Sequence, residues 1–481
     1  MKKRKVDISK YFMPDLNKAR KRIQESQVLK NVFYIPENIQ NIGLGKTFNV
    51  RTYGCQSNLR DSENIMGILK ALGYKYNDDI YTSDFVILNT CAIRENAENK
   101  VFGEIGFLKQ LKVKNNNFIF GIAGCMAQEE NIVDIILKKY HHVDFIMGTH
   151  NIHRLPQIIE QVIFEKDTVV DVWSKEGDVI ENLPSNRVSN VKASVNVMFG
   201  CDKFCTYCIV PFTRGKIRSR KKEDIIDEVN GLIKDNFKEV FLIGQNVNSY
   251  GIDFKDEKYS FANLLEDVAK TNVTRIRFTT SNPWNFSEEI IKVMSKYKNI
   301  MPHVHLPIQS GDDDILKKMN RHMYIKDYLK IIYKIRELIP NCTISTDLII
   351  GFPNETKEQF QKTLDLYNEV KFDHAYTYIY SKRDGTVAAK MEDNIPMEEK
   401  RSRLQELNLL VEKYSKEKNL SFVGKILNVL VEGKSKTNEN LLFGYSEEMK
   451  VVNFEGEAKD GDIVEVRITA SSKFSLSGQK I

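Results

Sequence analysis

Three cysteines within eight residues, Cys201-Asp-Lys-Phe-Cys205-Thr-Tyr-Cys208, constrain this chain more than any other feature. They follow an apolar stretch at 194–199 that reads as a strand, so the spacing places them in a loop. Gaps of three and then two residues let three thiolates reach three corners of one [4Fe–4S] cube and leave the fourth corner without a protein thiolate. An open corner means that a ligand or substrate binds the metal, by the logic that separates catalytic from structural zinc sites. Zinc is the competing occupant, but the nearby sequence lacks a fourth Cys or His.

Four further cysteines complete a set of seven: Cys55, Cys91, Cys125 and Cys342. An odd count without a secretory leader argues against a disulfide framework and for metal or redox work. Cys342 enters an apolar strand without a cysteine neighbour and reads as a core thiol. The basic start Met-Lys-Lys-Arg-Lys has no apolar segment behind it, and no apolar run reaches the roughly 18–20 residues that a bilayer needs. A cytoplasmic location is expected, without a membrane partner. A net charge of +6 over 481 residues permits a polyanion partner without demanding one.

Cys55, Cys91 and Cys125 each end a short apolar run that a helical stretch follows: Thr-Phe-Asn-Val-Arg-Thr-Tyr-Gly-Cys55, Phe-Val-Ile-Leu-Asn-Thr-Cys91 and Phe-Ile-Phe-Gly-Ile-Ala-Gly-Cys125. Such alternation predicts parallel βαβ units. Loops leaving the carboxyl ends of parallel strands share one edge, so the three cysteines are expected to converge there. A second series predicts strands at 194–199, 239–245, 275–280, 302–308, 343–350 and 374–380. Helices are expected at 223–236, 259–270, 287–297, 325–338 and 357–370, with a charged helix over 397–419. Six βα units imply an open, partial barrel whose chemistry sits at the carboxyl ends of its strands. After about 420, short alternating strands punctuated by Asn, Gly and Asp predict a small antiparallel barrel, a common oligonucleotide-binding architecture.

The 201–208 spacing resembles that of the radical S-adenosylmethionine superfamily. The likeness is closer still to its methylthiotransferases. It is carried by Thr-Tyr-Gly-Cys55-Gln, Asp61-Ser-Glu63, Asn-Thr-Cys91-Ala-Ile-Arg94-Glu95 and Gly-Cys125-Met-Ala-Gln. In the predicted barrel it is carried by Cys208-Ile-Val-Pro-Phe-Thr-Arg214-Gly, Gly244-Gln245-Asn246-Val-Asn248-Ser-Tyr250-Gly, His305-Leu-Pro-Ile-Gln309-Ser-Gly and Asp347-Leu-Ile-Ile-Gly351-Phe-Pro. The tail resembles a TRAM RNA-binding domain. Where many relatives have Thr-Ser-His-Pro, this chain reads Thr280-Ser281-Asn282-Pro283.

The resemblance implies an α/β protein. A basic extension (1–45) would precede a parallel α/β domain with an auxiliary cluster (46–165), a partial (βα)6 radical SAM core (187–417) and a small TRAM barrel (418–481). It implies two [4Fe–4S] clusters, one on Cys201, Cys205 and Cys208 and an auxiliary one on Cys55, Cys91 and Cys125. S-adenosylmethionine is the implied co-substrate. One molecule yields a 5′-deoxyadenosyl radical and another methylates the sulfur to be inserted. Gln245, Asn246, Ser281, Gln309, Asp347 and Gly351, at predicted strand ends, are candidates to hold it, or else satisfy backbone groups at strand-to-helix turns.

Among methylthiotransferases, the stretches at 89–103 and 148–156 and the run Arg214-Gly-Lys216-Ile-Arg218-Ser-Arg220 look most like enzymes acting on N6-dimethylallyl (isopentenyl) adenosine beside the tRNA anticodon. Alternatives are threonylcarbamoyladenosine in tRNA, a ribosomal-protein aspartate and, outside enzymes, an iron–sulfur RNA-binding redox sensor. Implied partners are a tRNA anticodon stem-loop, an electron donor such as flavodoxin or ferredoxin, and a sulfur donor. Arg214, Lys216, Arg218 and Arg220 are expected to meet RNA phosphates, with a solvated charged face as the other reading. The same two readings apply to Lys18, Arg20, Lys21 and Arg22 in the extension. In the tail, Lys425, Lys434, Lys436, Arg467, Lys473 and Phe474 are further candidates for RNA contact. Phe199, Ile209, Phe212 and Trp284 are candidates for an apolar rest under the dimethylallyl group, or else core residues.

Overall fold

The computed structural model describes residues 6–11, 27–92, 95–173, 178–255, 258–279, 281–436 and 438–481. Lys18, Arg20, Lys21, Arg22, Arg94 and Thr280 lie outside the described residues. The chain divides into two compact units. The first comprises Met1–Val188, Phe199–Asp202 and Cys208–Lys221; the second comprises Ser189–Met198, Lys203–Tyr207 and Lys222–Ile481.

A seven-stranded sheet organises the first unit: β1 (Val6–Tyr11), β2 (Thr47–Thr52), β3 (Lys75–Tyr76), β4 (Phe85–Thr90), β5 (Ile119–Gly124), β6 (Phe145–Met147) and β7 (Thr168–Val172), in the spatial order β1-β7-β6-β5-β4-β2-β3. Every pairing is parallel. The central strands β4 and β5 are buried along their whole length, which is why they read as unbroken apolar runs rather than alternating ones. Their side chains divide between two cores. Phe85 and Ile87 pack with α1 (Gln56–Ala71) and α4 (Leu155–Phe164), whereas Val86 and Leu88 pack with α2 (Glu95–Lys114) and α3 (Glu130–Lys139). Strand β1 falls within the stretch expected as a basic extension (1–45), yet it forms an edge of this sheet beside β7.

The second unit holds six parallel strands in two three-stranded sheets. They are β8 (Lys192–Asn196), β9 (Glu239–Ile243) and β10 (Arg275–Phe278), then β11 (His303–His305), β12 (Thr343–Ile350) and β13 (His374–Ile379). A parallel bridge joins Ile276 to Ile300, at the step from one sheet to the other. The intervening helices are α5 (Lys222–Lys234), α6 (Phe261–Ala269), α7 (Glu288–Lys296), α8 (Ile325–Leu338) and α9 (Lys357–Val370), followed by α10 (Met397–Leu420). This is the expected partial barrel. Strand β12 runs to Ile350, so Asp347 lies inside the strand and not at its carboxyl end.

The tail closes into a barrel of β14 (Ile426–Lys434), β15 (Leu442–Ser446), β16 (Val451–Glu455), β17 (Ile463–Ser471) and β18 (Leu476–Lys480) around Val429, Val431, Val452, Phe454 and Val466. Its pairs are antiparallel except β16 with β18, which is parallel. A closed ring of five strands cannot alternate direction all the way round, so one parallel pair is unavoidable. Lys192 Nζ meets Glu432 at 2.6 Å, Lys450 Nζ meets Asp373 at 3.1 Å, and Thr343 Oγ1 donates to the Glu448 carbonyl at 2.8 Å, so the tail barrel packs on the six-stranded part. No helix among the described residues is long and apolar enough to cross a membrane.

Candidate active site

Cys55 precedes α1 in the loop after β2, Cys91 directly follows β4, and Cys125 directly follows β5. Because β2, β4 and β5 are adjacent and parallel, the three thiols leave one sheet edge together. Asn58 sits among them: its Oδ1 is 3.4 Å from Cys55 Sγ and 3.9 Å from Cys125 Sγ, and its Nδ2 donates to the Thr90 carbonyl at 2.7 Å. Asn89 anchors Asn58 in turn, donating from Nδ2 to the Asn58 carbonyl at 2.8 Å and to Ser62 Oγ at 2.9 Å.

Two glycines make this approach possible. Gly54 has φ +129°, and a Cβ there would come within 2.6 Å of Cys91 Cβ and 3.1 Å of Cys91 Sγ. Gly124 has φ +96°, and a Cβ there would meet Asn89 Oδ1 and the Thr90 carbonyl at 2.4 Å. Glycine is therefore a packing requirement directly before Cys55 and Cys125.

Around Cys125 the surroundings are apolar on one side and cationic on the other. Cys125 forms a buried cluster with Ala92, Ile209 and Phe212, which excludes water from its sulfur. Burial pushes the Cys125 thiol above its ordinary value, and the Cys55 sulfur adds to this, while the Arg214 guanidinium opposes it. Arg214 Nε donates to Cys125 Sγ at 3.2 Å, and Nη2 reaches Asp61 Oδ2 at 2.6 Å and Asn58 Oδ1 at 3.2 Å. Burial alone would lower the Arg214 pKa, but Asp61, Cys125 and Cys55 together hold it well above its usual value.

Cys201, Cys205 and Cys208 are each half-buried. In the first unit the Cys201 amide donates to the Gly215 carbonyl at 3.0 Å. In the second, Phe204 takes a left-handed φ of +47°, a conformation unfavourable for a residue with a Cβ. Asn320 holds it there, donating from Nδ2 to the carbonyls of Lys203 and Phe204 at 3.2 and 3.1 Å. Arg321 Nη1 lies 3.9 Å from Cys205 Sγ and 3.3 Å from the Tyr207 hydroxyl, its Nη2 donates to the Pro307 carbonyl, and its guanidinium stacks 5.1 Å from the Trp284 ring.

The candidate co-substrate residues other than Asp347, which lies within β12, occupy the loops after the strands. Asn246, after β9, donates to Ser249 Oγ at 2.7 Å and leaves its buried Oδ1 without a partner. Ser281 Oγ and Asn282 Oδ1, after β10, are also buried without a partner. The two loops are clamped together: Asn282 N donates to Asn248 Oδ1 at 2.8 Å, and Asn248 Nδ2 donates to the Asn282 carbonyl at 2.6 Å. The clamp uses only backbone atoms of Asn282, so it does not depend on the side chain that stands where many relatives have histidine. Gln309 has a left-handed φ of +78° and exchanges backbone hydrogen bonds with Asp347 and Ile349 at 2.9 Å. Asp347 also lies 3.4 Å from His305 Nε2. Gly351 N donates to Glu355 Oε2 at 2.8 Å. Gln245 is half-buried at the same end of β9.

Comparison with known proteins places this chemistry. Residues 195–367 match the radical SAM superfamily, residues 47–148 the uncharacterized protein family UPF0004, and residues 420–481 the TRAM domain. The chain is 62% identical to the tRNA-2-methylthio-N(6)-dimethylallyladenosine synthase of Malacoplasma penetrans (strain HF-2), over 99% of this chain and 98% of that one. It belongs to that synthase family. The Bacillus cytotoxicus member is 52% identical, over 100% of this chain and 96% of its own length. Among solved structures, a radical S-adenosylmethionine methyltransferase, TsrM from Kitasatospora setae, superposes with a TM-score of 0.53 at 13% identity, over 72% of this chain and 77% of that one. At that identity the likeness speaks for the fold alone.

The arginines of the basic run after Cys208 do not face outward to meet RNA phosphates. Arg214, Arg218 and Arg220 are buried, and their side chains are directed into the protein. Arg220 makes a two-pronged pair with Glu181 at 2.6 Å, and Arg218 Nη2 donates to the Arg214 carbonyl at 2.9 Å. A guanidinium held this way is an internal counter-charge, whereas Lys216 is half-buried. Ile209 and Phe212 likewise serve the Cys125 pocket. Phe199 lies under Arg218, with the guanidinium 5.7 Å from its ring. The Cys342 thiol is buried and its pKa raised by that burial, as befits a core residue. Asn58, Asn89 and Arg321 carried no spacing signal, because each acts on a partner distant in sequence.

Proposed function

We propose that this chain catalyses methylthiolation at C2 of N6-dimethylallyladenosine beside the anticodon of tRNA. The observation that carries the reading is the convergence of Cys55, Cys91 and Cys125 on one sheet edge, in a chain that separately bears the Cys201–Cys208 loop. Three cysteines at the carboxyl ends of adjacent parallel strands suit an iron–sulfur cluster with one position not taken by a protein thiolate. The unpartnered oxygens of Asn246, Ser281 and Asn282 suit a polar co-substrate such as S-adenosylmethionine.

When bound, two [4Fe–4S] clusters and S-adenosylmethionine supply the electron, the hydrogen-abstracting radical, the sulfur and the methyl carbon that replace C2–H by C2–S–CH3. The protein's part is to hold, orient and dry. In this reading Cys201, Cys205 and Cys208 hold one cluster, with Arg321 against Cys205, and Cys55, Cys91 and Cys125 hold the other. Asn246, Ser281 and Gln309 orient the co-substrate, and Gln245, Asp347 and Gly351 complete its surroundings. Ile209 and Phe212 keep water from Cys125. An anticodon-loop base is a reachable target, because unstacked single-stranded bases splay into a pocket at little cost. The reaction needs an electron donor such as flavodoxin or ferredoxin and a sulfur donor, and we place it in the cytoplasm, where tRNA is modified.

The test offers reconstituted enzyme three anticodon stem-loop RNAs in parallel, bearing adenosine, N6-dimethylallyladenosine or threonylcarbamoyladenosine. Mass spectrometry follows the methylthio product. Preferential turnover of the dimethylallyl RNA is expected, and preference for the threonylcarbamoyl RNA refutes the assignment.

A further inference from the structure

We propose that Arg214 is a positioning and charge-tuning residue of the auxiliary cysteine site, acting through Cys125. The inference rests on the reading that Cys55, Cys91 and Cys125 hold a cluster. Three observations carry it. Arg214 is only 5% exposed, so its charge must be answered inside the protein. Its donors are divided between a sulfur and two oxygens: Nε to Cys125 Sγ at 3.2 Å, Nη2 to Asp61 Oδ2 at 2.6 Å and to Asn58 Oδ1 at 3.2 Å. Asn58 itself contacts Cys55 and Cys125, so the guanidinium completes a ring of contacts around two of the three ligands.

The local chain explains how the arginine arrives. Pro211 and Phe212 lie in a single helical turn, Val210–Thr213, and the Arg214 amide donates to the Val210 carbonyl at 2.8 Å. Thr149 Oγ1 donates to the Thr213 carbonyl at 2.6 Å, and Arg218 Nη2 donates to the carbonyl of Arg214 at 2.9 Å. The backbone on either side is therefore held, and the side chain reaches Cys125, Asn58 and Asp61 from it. The segment that begins at Cys208, a ligand of the other trio in this reading, thus ends against Cys125. Asp61, in the first two turns of α1, turns the guanidinium toward the sulfur and offsets part of its charge.

The physical consequence is a polarity of effect. Hydrogen bonds to ligand sulfurs and nearby positive charge favour the reduced, more negative state of an iron–sulfur cluster and raise its potential. Removing the guanidinium should lower the potential; removing the Asp61 charge that offsets it should raise it. A phosphate-binding arginine predicts neither.

The experiment uses the full chain with Cys201, Cys205 and Cys208 all changed to Ala, so that only the auxiliary cluster assembles on reconstitution with iron and sulfide. Its midpoint potential is measured by redox titration followed by electron paramagnetic resonance, in the parent and in Arg214→Gln, Arg214→Lys and Asp61→Asn. Affinity for an anticodon stem-loop RNA is measured against salt in the same proteins. The expected result is a negative shift for Arg214→Gln, a smaller one for Arg214→Lys and a positive shift for Asp61→Asn, with an unchanged salt slope. If Arg214→Gln fails to assemble a cluster, Arg214→Lys and Asp61→Asn carry the sign test. Unshifted potentials, or a reduced salt slope in Arg214→Gln without a shift, overturn the proposal. Failure of the parent to assemble any cluster would instead overturn the assignment of Cys55, Cys91 and Cys125.

Discussion

Arg275, the first residue of β10, donates from Nη1 to the backbone carbonyl of Tyr445 in β15 at 2.8 Å. Its Nη2 donates to the Asn428 carbonyl in β14 at 2.9 Å, and the residue is 2% exposed. Burial pulls its pKa below the ordinary arginine value, while Glu447, Glu239, Glu448 and Glu432 pull the other way. The tail barrel is thus seated on a buried cation and is no loosely tethered module. Arg275→Ala would strip two carbonyls of charged donors, at a cost of about 3 kcal/mol. Thermal denaturation should show a clear drop in Tm, with Arg275→Lys recovering part of it. Deleting everything after about residue 419 would expose this arginine, so truncation reports on folding as well as RNA binding.

RNA docking by the tail is better tested on its surface. Lys425, directly before β14, and Arg467 of β17 are both exposed and lie near one another, since Ile426 pairs with Arg467. The double change Lys425→Ala/Arg467→Ala should weaken tRNA binding and lower the slope of log affinity against log salt by about 1–2, because each neutralised phosphate contributes roughly 0.7–0.9. Iron content should not change. An identical slope would remove these two residues from the interface.

The two cysteine trios should do separable work. Cys55→Ala is expected to lose the methylthio product while reductive cleavage of S-adenosylmethionine to 5′-deoxyadenosine continues. Cys205→Ala should lose both. Gly54→Ala should mimic Cys55→Ala, since the added methyl meets Cys91 Sγ at 3.1 Å. Loss of 5′-deoxyadenosine from Cys55→Ala that still holds the other cluster would mean the roles are wrongly assigned.

A pH dependence follows from His303. Burial, with His305, Arg277 and Lys450 nearby, pushes its pKa down to about 3 from an ordinary 6.5. Between those values the unfolded chain binds a proton that the folded chain refuses, so stability falls as pH drops below about 6.5. The slope from this one group approaches about 1.4 kcal/mol per pH unit. His142, His153 and His374 are lowered by burial in the same direction. Tm measured at pH 7.5, 6.5 and 5.5 should fall less steeply in His303→Asn than in the wild type, and parallel curves would refute the role of His303.

The sequence by itself determined the local architecture. Strand and helix periods placed all six barrel strands and their helices, because hydrophobic spacing is a property of neighbouring residues. Both cysteine trios were legible for the same reason: Gly-Cys at a strand end and a Cys-x3-Cys-x2-Cys loop are local patterns. Only the tertiary structure decided what the charges do. Arg214 meets Asn58 across 156 positions and Arg220 meets Glu181 across 39, so arginines of a basic run expected to meet RNA phosphates or solvent are paired internally instead. Charge along a chain records valence but not direction. Whether a cation faces solvent or a buried carboxylate depends on which distant segment folds against it, as with Arg275 and the Tyr445 carbonyl. Strand β1 gives the same lesson for the backbone: a stretch expected only as a basic extension gained its place as a strand from parallel pairing with β7.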